Sequence, residues 1–215
     1  QVVRPLISIL DRISIRNARA LLVNGSYIGG VIENVYAKEV EDSPAGSYFH
    51  PEKLLYLNPH TAYQGEVKVG NLVIKKPFVL ITNRHDPQKR FDYVITSMKK
   101  VLQKYPNVSL VIPGPFTRHT TTLKDLTKKL GIEDRVIFLG RVSENDLQKL
   151  YRHAAVYCYP SPEEDFGLGP LEAGGWGVPT VAWNHAGPTV TVEDSVTGFL
   201  AKPYEVSEYT EAILK

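Results

Sequence analysis

The chain has 215 residues, of which 43% are hydrophobic and 22% are charged, close to the averages of globular proteins. A net charge of +2 is too small to indicate a nucleic acid partner, and the single cysteine, Cys158, excludes an internal disulfide and fits a reducing compartment. The sequence contains no apolar run near the roughly 20 residues that cross a bilayer, so we expect a soluble, cytoplasmic protein.

The two ends of the sequence indicate a piece of a longer protein. The chain begins at Gln1, its only methionine is Met98, and residues 205–215 still have a helical pattern where it stops. We therefore predict that residues 1–76 are the tail of a preceding domain plus a linker, and that residues 77–215 form a domain of their own. In the first part we predict strands at 20–23 and 53–57, a helix at 26–36, a loop at 39–51 and a connector at 58–76.

The second part alternates short apolar runs with longer amphipathic stretches, a pattern typical of a parallel sheet with crossover helices. The predicted strands are 78–82, 108–112, 136–139, 155–159 and 178–183. The predicted helices are 91–104, 123–130 (ended by Gly131), one beginning at Ser143, and 167–176. Successive βα units predict an α/β fold with a Rossmann-like, doubly wound parallel sheet flanked by helices.

Ligands of open α/β sheets bind beyond the carboxyl ends of the strands. The segments after the five predicted strands carry cations, carboxylates and glycines, which suit an anionic ligand rich in hydroxyl groups. These residues are Asn83, Arg84, His85, Asp86, Lys89, Gly114, Arg118, His119, Gly140, Arg141, Ser161, Glu163, Glu164, Asp165, Asn184, His185 and Gly187.

The most informative segment is EDFGLGPLE, residues 164–172. Gly167 and Gly169 leave backbone amides uncovered at a predicted helix start, where the partial positive charge can bind a phosphate. Arg84 and Lys89 could add fixed charge to the same phosphates, and carboxylates can accept hydrogen bonds from vicinal hydroxyls. A nucleoside-diphosphate sugar requires these features together.

Residues 159–182, YPSPEEDFGLGPLEAGGWGVPTVA, resemble the motif of retaining GT-B glycosyltransferases of the family 4 type. Glu164 and Glu172 reproduce its E-x7-E pair, and Arg84 with Lys89 resembles its Arg…Lys pair. Further segments resemble the same family: EDRVIFLGRVSENDLQKLY at 133–151, Asp194 and TGFL at 197–200. The resemblance covers residues 76–215, and more weakly 18–60, which are similar to the last βα unit of the acceptor-side domain.

The resemblance implies a role for each matching residue. Glu164 would hold hydroxyls of the donor sugar, and Glu172 would hold the ribose hydroxyls. Arg84 and Lys89 would stabilise the diphosphate leaving group, so neither a metal nor another cofactor is expected. The other donor-binding residues that it implies are Gly114, Gly140, Phe166, Gly167 and Leu168.

The implied activity is transfer of a sugar from a nucleoside-diphosphate sugar, with UDP or GDP as the nucleotide, to a sugar, glycan or lipid-linked acceptor with retention of anomeric configuration. Residues 1–76 would then be the acceptor-side tail and 77–215 the donor-binding domain. Two alternatives stay open: a nucleotide-sugar-binding module without catalysis of its own, and a GT-B sugar-nucleotide epimerase. Peripheral membrane association of the full-length protein is a further hypothesis, and no nucleic acid partner is expected.

The sequence departs from the family pattern at two places. Ala186 and Val190 stand where the family has its first glycine and an acid after the fifth strand, and Arg90 replaces the glycine after Lys89. Taken singly, Arg84, Lys89 and Glu172 are also ordinary charges of a loop or helix surface, so the argument rests on their combination.

Other residues favour structural roles. His85, His119 and His185 lack a metal-binding spacing, and Cys158 within a predicted strand favours a buried, inert thiol. Glu172 stands where a dinucleotide fingerprint beginning at Gly167 would need glycine, so that motif is absent.

Overall fold

The computed structural model describes residues 3–43 and 64–215, which divide between two compact units, Gln1–Gly46 and Ser47–Lys215. The elements of the first unit are α1 (Val3–Asn17), β1 (Leu22–Val23), α2 (Ser26–Tyr36) and β2 (Glu41–Asp42), with β1 parallel to β2. The predicted strand at 20–23 and helix at 26–36 are both found, whereas the predicted loop at 39–51 contains β2. The predicted strand at 53–57 lies outside the described residues.

The second unit contains a six-stranded parallel sheet and a separate antiparallel hairpin. Its strands are β3 (Glu66–Val69), β4 (Leu72–Lys75), β5 (Phe78–Leu80), β6 (Ser109–Pro113), β7 (Val136–Gly140), β8 (Val156–Tyr159), β9 (Thr180–Trp183) and β10 (Gly198–Ala201). Its helices are α3 (Phe91–Lys104), α4 (His119–Leu130), α5 (Glu144–His153), α6 (Leu168–Gly175), α7 (Pro188–Thr191) and α8 (Val206–Leu214), with short 3-10 turns at Pro87–Lys89 and Glu133–Arg135.

The strand order is β10-β9-β8-β5-β6-β7, all parallel, which is the doubly wound order predicted from the sequence. Side chains on alternating positions of β5 enter different cores because successive strand residues face opposite sides of the sheet. Val79 packs with α3, α4 and α8, whereas Phe78 and Leu80 pack with α5, α6 and the hairpin. All three residues of β5 are buried, which explains why its sequence is continuously apolar rather than alternating.

Helix boundaries follow local capping chemistry. Ser143 caps α5 by accepting a hydrogen bond from the Asp146 amide at 3.1 Å, and Gly131 ends α4 with a φ of 68°. Helix α4 begins at His119, four residues before the prediction. Its first turn is a run of threonines, whose weak helix propensity explains why the sequence pattern did not predict this turn. Of the described helices, none is long and apolar enough to span a membrane.

The prediction of a connector at 58–76 is wrong for residues 66–75, which form the hairpin β3–β4. Val67, Val69 and Ile74 of this hairpin are buried in the same core as Phe78 and Leu80, so apolar packing rather than turn composition decides the structure of these residues. The assignment of residues 1–76 to a preceding domain stays a prediction.

Replacing Ile74, which is fully buried, by alanine should lower the free energy of unfolding by about 2–5 kcal/mol, because it leaves a cavity beneath the sheet. Val73 on the same strand is 51% exposed and provides the matched control. Urea unfolding of Ile74→Ala and Val73→Ala measures the difference; equal, small losses in both variants would show that the hairpin does not stabilise this unit.

Candidate functional site

Strand order reverses between β5 and β8, and a cleft opens beside this point at the carboxyl ends of the strands. Its volume is about 350 Å³. Five of the predicted site residues line it: Asn83, Arg84, Gly114, Arg141 and Glu172. The other lining residues are Thr82, Pro113, Pro115, Val142, Leu147 and Tyr151.

Gly114 and Gly140 bring two loops of the cleft together through their backbones. The Gly114 amide donates to the Gly140 carbonyl at 2.8 Å. A side chain at position 114 could not be accommodated, because its Cβ would lie 1.8 Å from the carbonyl oxygen of Asn83. The predicted glycines therefore let the loops after β5, β6 and β7 approach closely enough to form one wall.

Arg84 is oriented by a neighbour on its own loop. Its Nε donates to Asp86 Oδ2 at 2.6 Å, while the side chain remains 62% exposed. This arrangement uses one face of the guanidinium and leaves its terminal N–H groups for a ligand in the cleft. Arg141 lies after β7 and lines the same cleft, so a second cation faces the space next to Glu172.

Lys89 and Glu164 are not among the residues that line this cleft, but they form an ion pair with each other. Lys89 Nζ donates to Glu164 Oε2 at 2.7 Å, with 18% and 25% of the two side chains exposed. The Glu164 carbonyl accepts from the Gly187 amide at 2.7 Å, which joins the loops after β8 and β9. Both partners of the pair are predicted site residues, although they lie 75 positions apart in the sequence.

The segment from Phe166 to Leu168 begins α6 as expected. Gly167 precedes the helix with a φ of 88°, Phe166 is buried, and Leu168 is exposed. Gly169 is required by its neighbour, because a Cβ there would lie 2.4 Å from the hydroxyl oxygen of Tyr157. The start of α6 therefore packs directly onto β8.

Glu172 receives a hydrogen bond that the sequence did not predict. The Tyr151 hydroxyl donates to Glu172 Oε2 at 2.8 Å, and it also contacts Thr82 Oγ1 at 2.9 Å. Thr82 Oγ1 in turn lies 2.8 Å from the Tyr157 hydroxyl. Sequence reasoning missed these three residues, since a hydroxyl at a strand end and two buried tyrosines carry no pattern that names their partners.

His85 is fully buried between the loops that follow β5 and β6. Its Nδ1 lies 3.0 Å from Thr120 Oγ1, and its carbonyl accepts from the Thr117 hydroxyl. Burial, followed by the charges of His119 and Lys124, lowers the pKa of His85 to about 4. A neutral His85 therefore supports the Arg84 loop. Within residues 3–43 and 64–215, no group of three or more His, Cys, Asp or Glu side chains is placed to hold a metal ion.

Residues 66–215 match the family model described as glycosyl transferases group 1. The chain belongs to this family. One curated relative is an uncharacterized glycosyltransferase of Methanocaldococcus jannaschii, which is 36% identical over 125 residues. The match covers 58% of this chain and 32% of the relative. The D-inositol 3-phosphate glycosyltransferase of Kribbella flavida is 34% identical over 138 residues, which cover 60% of this chain and 32% of the relative. The matches thus span about a third of the length of these relatives.

Solved structures that are similar to this chain confirm the predicted GT-B fold class. Sucrose-phosphate synthase of Thermosynechococcus elongatus has a TM-score of 0.77 at 23% identity, covering 96% of this chain and 51% of the synthase. HepE of Anabaena, solved in complex with UDP-glucose, has a TM-score of 0.74 at 23% identity, covering 94% and 54% of the two chains.

Two of the three residues that depart from the glycosyltransferase pattern, Arg90 and Ala186, have left-handed backbone. Arg90 has a φ of 51° and Ala186 a φ of 57°, a region that glycine adopts without strain. The Arg90 guanidinium lies 4.8 Å from the centre of the Tyr93 ring, and it donates to Asp92 at 3.1 Å. These contacts offset part of the backbone strain at Arg90. Val190, which replaces the family's acid, is exposed.

The stability of this glycosyltransferase chain should fall in mild acid because of His85. An ordinary histidine has a pKa near 6.5, so the unfolded chain binds more protons than the folded one between pH 6.5 and about 4. Stability therefore rises with pH across this window, and acidification from pH 7 to 5 should cost on the order of 2 kcal/mol.

Urea unfolding at pH 7 and pH 5 measures this loss, and His85→Leu, which cannot titrate, is the comparison. The difference between the two pH values should shrink in the variant by the His85 contribution. The same pH dependence in both proteins would contradict the assignment to His85.

Proposed function

We propose that this chain is the donor-binding part of a retaining glycosyltransferase that uses a nucleoside-diphosphate sugar. The observation that carries the proposal is that Arg84 and Glu172 line one cleft at the point where strand order reverses. An arginine can bind a diphosphate through its terminal N–H groups, and a carboxylate can accept hydrogen bonds from ribose hydroxyls. UDP is the first nucleotide to test, because HepE and other structurally similar proteins were solved with UDP or UDP-glucose.

In the proposed reaction, the bond between the anomeric carbon and the diphosphate breaks as the acceptor hydroxyl attacks from the same face. Arg84 and Lys89 stabilise the negative charge that develops on the diphosphate, together with the amides at the start of α6. Glu164 holds hydroxyls of the donor sugar. Because two cations serve the leaving group, the proposal includes no metal ion. The donor sugar, a hexose in the proposal, and the sugar, glycan or lipid-linked acceptor complete the substrates.

A binding module without its own catalysis is the second candidate. It is favoured by the length of the match, which covers 51% of the synthase chain, since a GT-B site lies between two domains. An epimerase is the third candidate, and it would convert the sugar nucleotide without any acceptor. Release of sugar or formation of a glycoside from UDP-glucose excludes the module, and product analysis without acceptor identifies the epimerase.

Calorimetric titration with UDP, GDP and ADP, with and without magnesium, is the first test. We expect magnesium-independent binding of one diphosphate, reduced about 10–100-fold in Arg84→Ala and in Glu172→Ala through loss of charge-assisted hydrogen bonds. Arg135→Ala is the control, because this exposed arginine lies at the opposite end of the sheet, just before β7. Undiminished binding in both site variants would refute the site.

Removing the carboxylate of the Lys89–Glu164 pair should change the affinities for UDP and for UDP-glucose in different ways. Glu164→Gln removes the carboxylate that neutralises Lys89, so bare UDP should bind more tightly, by about fivefold for a contact worth about 1 kcal/mol. UDP-glucose should gain less or bind more weakly, because the sugar loses its acceptor, and transfer should fall.

Glu163→Gln is the matched control, since it makes the same change of charge at a neighbouring residue that is 71% exposed. An equal gain for UDP in both variants would show a general charge effect. Parallel changes for UDP and UDP-glucose in Glu164→Gln would remove Glu164 from the sugar subsite.

A further inference from the structure

We propose that Tyr157, Thr82 and Tyr151 form a hydroxyl network that positions Glu172 and makes the site selective for ribonucleotides over deoxyribonucleotides. The inference rests on the proposed function, because it assumes that a nucleoside diphosphate occupies the cleft. It assigns the three hydroxyl residues a positioning role, since the atom that would meet the ligand belongs to Glu172.

The network joins four elements around the reversal of strand order. Tyr157 lies on β8, Thr82 just after β5, Tyr151 on α5 and Glu172 on α6. The three consecutive oxygen–oxygen distances are 2.8, 2.9 and 2.8 Å, so each step is a hydrogen bond. A movement of any one of these elements would break a contact of the network.

The direction of every hydrogen bond follows from the number of available hydrogens. An ionised carboxylate can only accept hydrogen bonds, so Tyr151 donates its single hydroxyl hydrogen to Glu172. Thr82 must then donate to Tyr151, and Tyr157 must donate to Thr82. All three bonds therefore point toward Glu172, an arrangement in which each bond polarises and strengthens the next.

Burial keeps the network intact across the physiological pH range. Tyr157 is fully buried and Tyr151 is 3% exposed. Burial raises the pKa of both tyrosines, so their hydroxyls keep the hydrogens that the network needs. Gly169 leaves room for the Tyr157 hydroxyl, because any larger residue would place its Cβ 2.4 Å from that oxygen.

The network therefore fixes one carboxylate oxygen of Glu172 and leaves the other oxygen able to accept hydrogen bonds from a ligand. Tyr151 donates to Oε2, and among the residues that the structure describes none donates to Oε1. A carboxylate oxygen has two acceptor positions, which can serve the 2′ and 3′ hydroxyls of a ribose. A 2′-deoxy nucleotide leaves part of this acceptor capacity unused, and a fixed carboxylate cannot turn to recover it.

The test compares UDP with 2′-deoxy-UDP by calorimetry, or the corresponding GDP or ADP pair if one of these binds instead. We expect the wild-type chain to prefer the ribonucleotide at least tenfold. Tyr151→Phe should reduce this preference to about twofold or less, mainly by weakening the ribonucleotide. Thr82→Val, which interrupts the network one step earlier, should give an intermediate preference.

Tyr209→Phe is the matched control. Its buried hydroxyl donates to the Val181 carbonyl at 2.7 Å in the other core, so the variant loses one buried hydrogen bond without touching Glu172. Its preference for the ribonucleotide should equal that of the wild type. A Tyr151→Phe variant that is merely less stable, with an unchanged preference, would overturn the inference.

Two further measurements separate failure of the inference from failure of the proposed function. If Glu172→Ala weakens UDP but Tyr151→Phe leaves the ribose preference unchanged, the inference fails while the proposed function stands. If the wild type binds no nucleoside diphosphate, the proposed function fails, and the network is tested by NMR of the buried tyrosine hydroxyl protons. Glu172→Gln should then shift both the Tyr151 and the Tyr157 resonances; a shift of neither overturns the network.

Discussion

Strand β5 lies between β6 and β8 in a sheet that is covered on both faces, and this burial constrains the rest of the structure. Apolar side chains occupy both faces of β5, so polar groups of this strand are displaced to its carboxyl end. The neighbouring helices run to opposite faces there, which separates the loops and opens the cleft. The position of the site is therefore a consequence of the strand order.

Close backbone contact then determines the shape of the cleft. Gly114 allows the loop after β6 to approach the Asn83 carbonyl, and Gly169 allows α6 to approach Tyr157 on β8. Hydrogen bonds between loops add to these contacts, as between Gly187 and Glu164. These contacts join backbone groups of different βα units, so a larger residue at Gly114 or Gly169 would displace a neighbouring loop or helix.

The charged residues of the site are arranged in compensated groups. Arg84 is oriented by Asp86, Lys89 is paired with Glu164, and Glu172 is fixed by Tyr151. Each pairing leaves some hydrogen-bonding capacity for a ligand while it limits the cost of holding the charge in a partly buried position. Arg90 and Ala186, which stand at glycine positions of the family pattern, both adopt the left-handed conformation that glycine adopts without strain.

The sequence by itself determined the parallel α/β architecture, and it named Arg84, Gly114 and Glu172, which line one cleft in the structure. Alternating apolar and amphipathic runs predict strands and crossover helices, and the motifs around Arg84, Glu164 and Glu172 identify the loops that meet. These features could be predicted because they depend on local periodicity and on the rule that ligands bind at strand ends.

Only the tertiary structure decided which of these residues touch. The hairpin β3–β4 could not be predicted, because its short strands become stable only by burying Val67 and Ile74 against the sheet. The Lys89–Glu164 pair and the hydroxyl network that ends at Glu172 join residues from different βα units. Lys89 and Glu164 are 75 positions apart in the sequence, and Thr82 and Tyr151 are 69 positions apart. Hydrogen bonds of this kind depend on distances below about 3 Å between separate elements, and these distances are set by packing rather than by any local sequence pattern.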